Sequence, residues 1–431
     1  MLINIFANRH KNWKAQSWWL MAAAFLCYTA MYAVRKSFLA GQYTGGPVYG
    51  MDLKVVLIIS QVLGYMISKF AGIQIIAELD HKKRTRVLLS LVGFGIVMLF
   101  FFGILPRSWK PLALFLNGLP LGMVFGILLS YLEGRRNTEL LTAALSATFI
   151  FSTGFVKTTG LWLLSDLNVP EFFMPFATAL LFVPALVIAL WMLKHANVPS
   201  KEDEALRTKR IPMNKEKRTS FFLKYGLGFS FLVLVYIFLT VLRDFRDNFI
   251  VEFWTELGYG EQPNLLTLTE VPVAIVVLAI AAAMVFIRSN RKAFQIGMIL
   301  TAISGLFIFF TTMLFQQGFI SSINWMIIFG IGVYLPYILY HCVIFERLLA
   351  YIRFSGTVGF LFYIADASGY AGSVTILLLK ELGNFEVTWV DFFIQLNLFA
   401  PLAISLLSLL SIWAIHYENR KYAAVDPAST N

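Results

Sequence analysis

Six basic residues stand inside long apolar stretches of the sequence, where a charge is costly. They are Arg35, Lys36, Lys69, Lys157, Arg243 and Arg246. A cation at the centre of a bilayer costs at least ~2.5 kcal/mol, so such residues pair with carboxylates or face a cavity that admits an anion. The acidic residues in comparable stretches are Asp244, Asp247, Glu270 and Asp366. Six cations against four acids leave an excess of two positive charges, which indicates a ligand with one or two negative charges.

Arg35 and Arg243 are the strongest candidates for binding such a ligand. Arg35 lies in the first apolar stretch of the chain and Arg243 in the seventh, so internal pseudo-symmetry would bring them across from one another. The planar guanidinium group donates two parallel hydrogen bonds, which suits phosphate. Two other cations can have a structural role instead of binding a ligand. Arg246 can pair with Asp244 or Asp247, and Lys157 can pair with an acid on another helix or extend to the membrane surface.

The apolar stretches predict a membrane protein that crosses the bilayer many times. Of the 431 residues, 58% are hydrophobic and 14% are charged, whereas a soluble domain is about 25% charged. This composition excludes a disordered chain, a nucleic-acid-binding domain and nearly every soluble enzyme. A helix needs about 20 apolar residues to cross the hydrocarbon core. Twelve runs qualify: 17–40, 53–78, 86–105, 110–132, 140–165, 173–194, 224–250, 263–287, 293–314, 322–346, 355–380 and 391–415. They are continuous rather than alternating, which favours helices over barrel strands.

One long polar stretch, residues 194–220, separates the first six runs from the last six. We therefore expect an N-terminal six-helix bundle over 1–194, a cytoplasmic linker over 195–223 and a C-terminal six-helix bundle over 224–431. An all-α polytopic membrane protein with 12 transmembrane helices in two six-helix bundles resembles the major facilitator fold. In such folds the substrate site lies near mid-membrane between the halves.

The charges of the loops predict the orientation in the membrane. Twenty-four Lys and Arg residues fall in the termini, the linker and the loops on one side, against four on the other. Because basic loops stay in the cytoplasm, both termini and the linker are expected there. We expect a plasma membrane location, specifically the bacterial inner membrane, and interpret the first run as a retained helix. Cys27 and Cys342 lie inside apolar runs and are expected to be small core residues.

Several short segments, in order along the chain, resemble a known transporter family. They are Tyr32-Ala-Val-Arg-Lys-Ser-Phe38, Ser60-Gln-Val-Leu-Gly-Tyr65 continuing to Lys69 and Gly72, Gly118-Leu-Pro120-Leu-Gly122, Val241-Leu-Arg243, Thr269-Glu270-Val-Pro272, Tyr334-Leu-Pro336, Glu346-Arg347, Gly356-Thr357-Val-Gly359-Phe360 and Gly369-Tyr370-Ala-Gly372-Ser373. Together they are similar to segments of the organophosphate:phosphate antiporters of the major facilitator superfamily, which include glycerol-3-phosphate and hexose-phosphate transporters.

The resemblance implies roles for particular side chains. Arg35 and Arg243 would clamp the substrate phosphate. The cavity would be completed by Lys36, Lys69, Tyr32 and Tyr65. The sequence also departs from the family: the histidine of the fifth helix has no counterpart, and Lys157, about one turn further on, would supply a cation instead. Asp366 stands where no charge is expected. By this resemblance the chain would be a divergent member of the family, whose substrate can differ from glycerol-3-phosphate and glucose-6-phosphate.

Three functions remain open from the sequence. The first is exchange of an organic phosphate for inorganic phosphate by alternating access of the two halves. The second is proton-coupled symport of another organic anion, such as a carboxylate or sugar acid, with Glu270, Asp366 and Asp247 as coupling or gating residues. The third is a membrane sensor that binds a phosphorylated metabolite without transporting it.

We expect no enzyme activity, because H-E-x-x-H, G-x-S-x-G and P-loop motifs are missing from the sequence. The expected partners are a small anionic substrate and the lipid bilayer. We expect a monomer and no cofactor, metal or nucleic acid.

Overall fold

The described part of the chain consists mainly of helices. The computed structural model describes residues 13–77, 79–80, 83–132, 135, 138–196, 215–284, 286–354, 356, 358–383 and 387–425. The chain divides into two compact units, Met1–Thr208 and Lys209–Asn431. The predicted bundle and linker boundaries remain predictions, and much of the linker, residues 197–214, lies outside the described residues.

The described part of the first unit contains nine α-helices. They are α1 Trp13–Lys36, α2 Leu53–Ala77, α3 Arg84–Ile104, α4 Lys110–Leu121, α5 Val124–Leu132, α6 Thr138–Ser146, α7 Thr148–Ser165, α8 Met174–Leu181 and α9 Val183–Lys194. A 3₁₀ turn, Ser37–Ala40, follows α1, and another, Arg107–Trp109, precedes α4.

The described part of the second unit contains eight α-helices. They are α10 Lys215–Glu256, α11 Leu265–Leu268, α12 Glu270–Met284, α13 Asn290–Gln316, α14 Ser322–Leu339, α15 Phe345–Tyr351, α16 Val358–Leu382 and α17 Trp389–Val425. A π-helical turn, Tyr340–Ile344, joins α14 to α15.

Each of the twelve predicted runs corresponds to one helix or to two consecutive helices. Within the described residues, ten spans are long and apolar enough to cross a membrane, and α8 with α9, bent by 42° at their junction, forms an eleventh. The helix α2, of 25 residues, covers the remaining run. Helices are the expected outcome because a backbone in hydrocarbon must satisfy its hydrogen bonds within its own segment. The chain is therefore an all-α, multi-pass membrane protein.

The long helices are interrupted at identifiable places. In α10, Tyr225 (φ −130°, ψ 19°) and Phe249 (φ −116°, ψ 17°) leave helical geometry. Helix α14 contains Pro336, which cannot donate a backbone hydrogen bond, and the π turn begins four residues later. These breaks alter the direction of a helix or the face that it presents along its length.

Helices α2 and α4 approach each other closely because glycines face their contact. A Cβ atom at Gly64 would lie 2.1 Å from the backbone oxygen of Phe115, and one at Gly118 would lie 2.3 Å from that of Gln61. Only glycine allows backbones to come this near, as is common between membrane helices. This contact fixes the position of Tyr65, which follows Gly64 directly.

Lys54 and Lys110, two of the four basic residues counted on the less basic side of the membrane, are buried at helix ends. The Lys54 ammonium group donates to the backbone oxygen of Leu39 at 3.0 Å. The Lys110 ammonium group donates to that of Phe102 at 2.6 Å. The last carbonyl groups of a helix lack partners within the helix and carry partial negative charge, so a cation there is stabilised.

Candidate functional site

Two cationic side chains of the first unit converge on one aromatic ring. The guanidinium carbon of Arg35, near the end of α1, lies 3.4 Å from the centroid of the Tyr65 ring on α2. The ammonium nitrogen of Lys69, one turn further along α2, lies 5.0 Å from the same centroid. All three residues are buried, with exposures of 3% for Arg35, 8% for Lys69 and 1% for Tyr65. The ring face attracts both cations, and the local excess of positive charge would attract an anion.

Two buried amide side chains hold the end of α1 that carries Arg35. The Gln61 amide nitrogen donates to the backbone oxygen of Arg35 at 2.6 Å and to the Asn117 side-chain oxygen at 2.8 Å. The Asn117 nitrogen donates to the backbone oxygens of Val34 at 3.2 Å and Gly95 at 2.9 Å. The sequence interpretation missed both residues. Their signal was available: an amide inside an apolar run must find hydrogen-bond partners when it is buried.

The remaining candidates of the first unit also lie in its interior. Lys36 and Lys157 are buried, with Lys157 on α7. Tyr32 is buried and packs edge-to-face against Tyr28, with ring centroids 5.3 Å apart. The structure thus brings Arg35, Lys69 and Tyr65 together and holds Lys36, Lys157 and Tyr32 among the buried residues of the same unit.

The spans of the first unit are free of acidic residues in the sequence. Residues 16–40, 53–77, 84–132, 140–165 and 174–194 contain no Asp or Glu. The four intramembrane acids of the sequence analysis, Asp244, Asp247, Glu270 and Asp366, all belong to the second unit. The apolar stretches of the first unit therefore carry a net positive charge that their own sequence does not balance.

In the second unit, two arginines of α10 form ion pairs with different carboxylates. Asp244 Oδ1 accepts from Arg243 Nη2 at 2.5 Å and from its Nε at 3.1 Å. Glu270 Oε1, on α12, accepts from Arg246 Nη1 at 2.6 Å. The sequence interpretation had offered Asp244 or Asp247 to Arg246, so the observed Glu270 contact corrects it. Glu270 lies 24 residues away in the chain, and adjacency in sequence could not reveal the contact.

The same two arginines face two tyrosines of α14. The guanidinium carbon of Arg243 lies 4.0 Å from the Tyr337 ring centroid, and that of Arg246 lies 5.7 Å from the Tyr334 centroid. Residues three apart share one face of a helix, so each helix presents a matched pair. Tyr337 was missed in the sequence, although its spacing from Tyr334 equals that of the arginines.

A chain of aromatic contacts links Arg243 to the coupling candidate Asp366. The Tyr236 hydroxyl donates to Asp366 Oδ1 at 3.0 Å, and Asp366 is fully buried. The Tyr236 ring lies 5.3 Å from the Tyr337 ring, which covers the Arg243 guanidinium. The other two coupling candidates, Asp247 and Glu270, are also buried. Asp366 therefore belongs to a continuous polar and aromatic cluster with Tyr236, Tyr337 and Arg243.

Within the part of the chain that the structure describes, no three or more His, Cys, Asp or Glu side chains are arranged to hold a metal ion. Cys27 and Cys342 are buried, as expected for small core residues.

Two solved structures share the architecture of this chain. A crystal structure of a D-xylose-proton symporter aligns with a TM-score of 0.57 at 13% identity, covering 93% of this chain and 96% of that chain. A crystal structure of the human organic anion transporter MFSD10 (TETRAN) aligns with a TM-score of 0.51 at 13% identity, covering 93% of this chain and 98% of that chain. The chain therefore has the major facilitator fold. Both of these neighbours are transport proteins.

Comparison with protein families assigns the chain more narrowly. It belongs to DUF5690, a family of unknown function, whose model matches residues 37–421. No curated protein matches the chain.

Proposed function

We propose that this protein is a secondary active transporter of a phosphate-containing or other organic anion, and that it exchanges an organic phosphate for inorganic phosphate. The observation that carries the proposal is the convergence of Arg35 and Lys69 on the ring of Tyr65. Two cations beside one ring, in helices whose sequence contains no carboxylate, suit a doubly charged group such as a phosphate monoester. The resemblance of the segments around these residues to organophosphate:phosphate antiporters supports the same substrate class.

In this proposal, the second unit would contribute Arg243 to substrate binding. The Asp244 carboxylate forms an ion pair with this arginine. An anion held by Arg35 and Lys69 would compete with Asp244 for the Arg243 guanidinium group, whose planar fork suits phosphate oxygens. A ligand promotes closure only when it binds the closed form more tightly, and bridging both units provides that difference.

The charges support exchange rather than net transport. The helices that carry Arg35, Lys36 and Lys69 contain no acidic residue in their sequence, and the Arg243–Asp244 pair adds no net charge, so an empty site would keep a positive charge that an anion neutralises. The empty carrier would therefore reorient slowly, whereas a carrier loaded with either phosphate species would reorient readily. This is the behaviour of an obligate exchanger.

Proton-coupled symport of an organic anion is the second candidate, and the buried Asp366 favours it. Its hydrogen bond with Tyr236 links it to the aromatic cluster around Arg243, so a proton on Asp366 would alter the surroundings of that arginine. In this mechanism uptake responds to a pH gradient and needs no counter-substrate.

The charge distribution also supports a topology. We propose that both termini and the linker face the cytoplasm of the bacterial inner membrane, since 24 basic residues fall on that side and four on the other.

Purified protein in liposomes preloaded with labelled phosphate tests the proposal. We expect external phosphate monoesters to drive phosphate efflux, with carboxylates weaker and neutral sugars inactive. Equal efflux with neutral sugars would exclude an anion transporter. Uptake of a carboxylate driven by a pH gradient alone would favour the symporter. Substrate binding without any flux would indicate a sensor.

Variants of Arg35 and Arg243 test whether these two arginines bind the substrate. Arg35→Lys and Arg243→Lys keep the charge but lose the planar fork, so we expect each to reduce exchange strongly. Arg291→Lys, at an exposed position in the first turn of α13, is the matched control and should exchange like the unaltered protein. Normal exchange in both site variants would contradict the phosphate clamp.

A further inference from the structure

A cleft at the beginning of α10 lies outside the site described above. Its volume is about 530 Å³. It is lined by Glu216, Thr219, Ser220, Leu223, Lys224 and Tyr422. The first five residues belong to the part of α10 before its break at Tyr225, and Tyr422 belongs to the last turns of α17. The cleft is therefore formed by two helix ends of the second unit.

Two lysines on different helices share an aromatic ring at this cleft. The Lys224 ammonium nitrogen lies 5.9 Å from the Tyr422 ring centroid, and that of Lys421 lies 5.6 Å from it. Three more basic residues, Lys217, Arg218 and Arg420, are close by in the sequence, against the acids Glu216 and Glu418. The surroundings are therefore cationic, although Glu216 belongs to the lining.

The charge of Glu418 is directed at the backbone of α10. Its carboxylate accepts from the backbone nitrogens of Leu227 at 3.1 Å and Gly228 at 3.2 Å, just after the break at Tyr225. On the other side of the break, the Tyr422 hydroxyl donates to the backbone oxygen of Leu223 at 3.0 Å. Side chains of α17 thus satisfy backbone groups that the break releases, and Tyr422 belongs both to this contact and to the cleft.

Large apolar side chains stand exposed beside the lysines. Leu223 is 74% exposed and Phe222 is 43% exposed. The predicted membrane-spanning run begins at residue 224, so these residues lie at the level where the helix enters the bilayer. Basic side chains next to exposed apolar ones at this depth fit a molecule with an anionic head and a hydrocarbon chain.

We propose that this cleft binds the headgroup of an acidic phospholipid. The ammonium groups of Lys224 and Lys421 attract the phosphate, and the hydroxyl group of Ser220, in the lining of the cleft, donates to one of its oxygens. An acyl chain covers Leu223. Free phosphate shares the chemistry of the headgroup, but it offers nothing to the exposed leucine, so the lipid is the favoured source.

The test uses the full chain purified in detergent and dioctanoyl phosphatidylglycerol as the probe, with bound lipid counted by native mass spectrometry. We expect Lys224→Gln and Lys421→Gln each to weaken lipid binding about fivefold. Lys292→Gln, an exposed lysine in the first turn of α13, is the matched control and should bind like the unaltered protein. Both site residues are at least partly exposed, and thermal unfolding without added lipid should be unchanged.

Two results would overturn the proposal. One is equal lipid binding by the Lys224→Gln/Lys421→Gln double variant and by the Lys292→Gln control. The other is displacement of the bound phosphatidylglycerol by inorganic phosphate at the same concentration, which would identify a site for the free ion. Retention of phosphatidylglycerol against both inorganic phosphate and dioctanoyl phosphatidylcholine would support an acidic-lipid site. These measurements need no transport assay, so they stand apart from the exchange function.

Discussion

Arg35 lies with its guanidinium carbon 3.4 Å from the centroid of the Tyr65 ring, and the two residues come from different helices. The ring is held in position by close packing, since Gly64, directly before it, lets α2 approach the backbone of α4. Gln61 holds the backbone of the arginine, because its amide nitrogen donates to the carbonyl oxygen of Arg35. The aromatic ring under the guanidinium group restricts the directions in which its donors can point, which favours binding of a planar or tetrahedral anion.

Removing the ring of Tyr65 should weaken substrate binding. A desolvated cation–π contact is worth about 1–2 kcal/mol, so we expect Tyr65→Leu to raise KM for phosphate about five- to thirtyfold. Tyr65→Phe retains the ring and should change KM little. Initial rates of phosphate exchange in proteoliposomes measure both. A normal KM in Tyr65→Leu would show that the ring does not organise the site.

Gln61 and Asn117 should stabilise the fold as a coupled pair. Replacing either residue leaves the buried polar groups that bond to it without a partner, at a cost of about 1–3 kcal/mol. We expect Gln61→Leu and Asn117→Leu to lower the free energy of unfolding by that amount, measured by titration with a denaturing detergent. Because the two side chains bond to each other at 2.8 Å, the double variant should lose less than the two single losses combined. A loss of stability in the double variant equal to the sum of the two single losses would contradict this coupling.

The buried pair of Arg246 and Glu270 gives a prediction with an internal control. Arg246→Met removes the guanidinium partner of a carboxylate that is almost fully buried, which costs about 3–5 kcal/mol of stability. Arg246→Met/Glu270→Met removes both charges and should recover most of the loss. Thermal unfolding in detergent compares the three proteins. A double variant as unstable as Arg246→Met would show that the arginine contributes mainly through other contacts, such as the backbone oxygen of Met326.

Gly118 should tolerate no side chain. A Cβ atom there would lie 2.3 Å from the backbone oxygen of Gln61, so Gly118→Ala must push α2 and α4 apart, at a cost of about 1–3 kcal/mol. Gly93→Ala is the matched control, because nothing lies within 4 Å of a Cβ at Gly93. We expect reduced stability and slower exchange for the first variant only. Equal thermal stability of the two proteins would contradict the close contact.

The helices could be predicted from the sequence because the bilayer leaves few alternatives. An apolar run of about 20 residues must satisfy its backbone internally, and so the run 86–105 becomes the helix Arg84–Ile104. The breaks within spans could not be predicted in this way. The interruption at Ala147 between α6 and α7, and the bend between α8 and α9, depend on local packing that hydropathy does not encode.

The candidate site was predictable in its charges but not in its contacts. Arg35, Lys69 and Arg243 could be identified from the sequence, because a cation inside an apolar stretch is costly. Their neighbours depend on how helices cross, so the Glu270 contact of Arg246 and the ring of Tyr337 under Arg243 became visible only in three dimensions. Lys54 and Lys110 show the same limit, because a lysine near a helix end can bind carbonyl groups instead of water.

The π turn Tyr340–Ile344 changes how residues along α14 and α15 can be compared with other proteins. A π turn adds one residue relative to a regular α-helix, and one residue corresponds to about 100° of rotation. Glu346 and Arg347 therefore point about a quarter-turn away from the direction that counting forward from Pro336 at 3.6 residues per turn would give. An ungapped alignment of these segments with a relative that lacks the extra residue would assign side chains to the wrong face of the helix. A gap placed at this turn restores the correspondence.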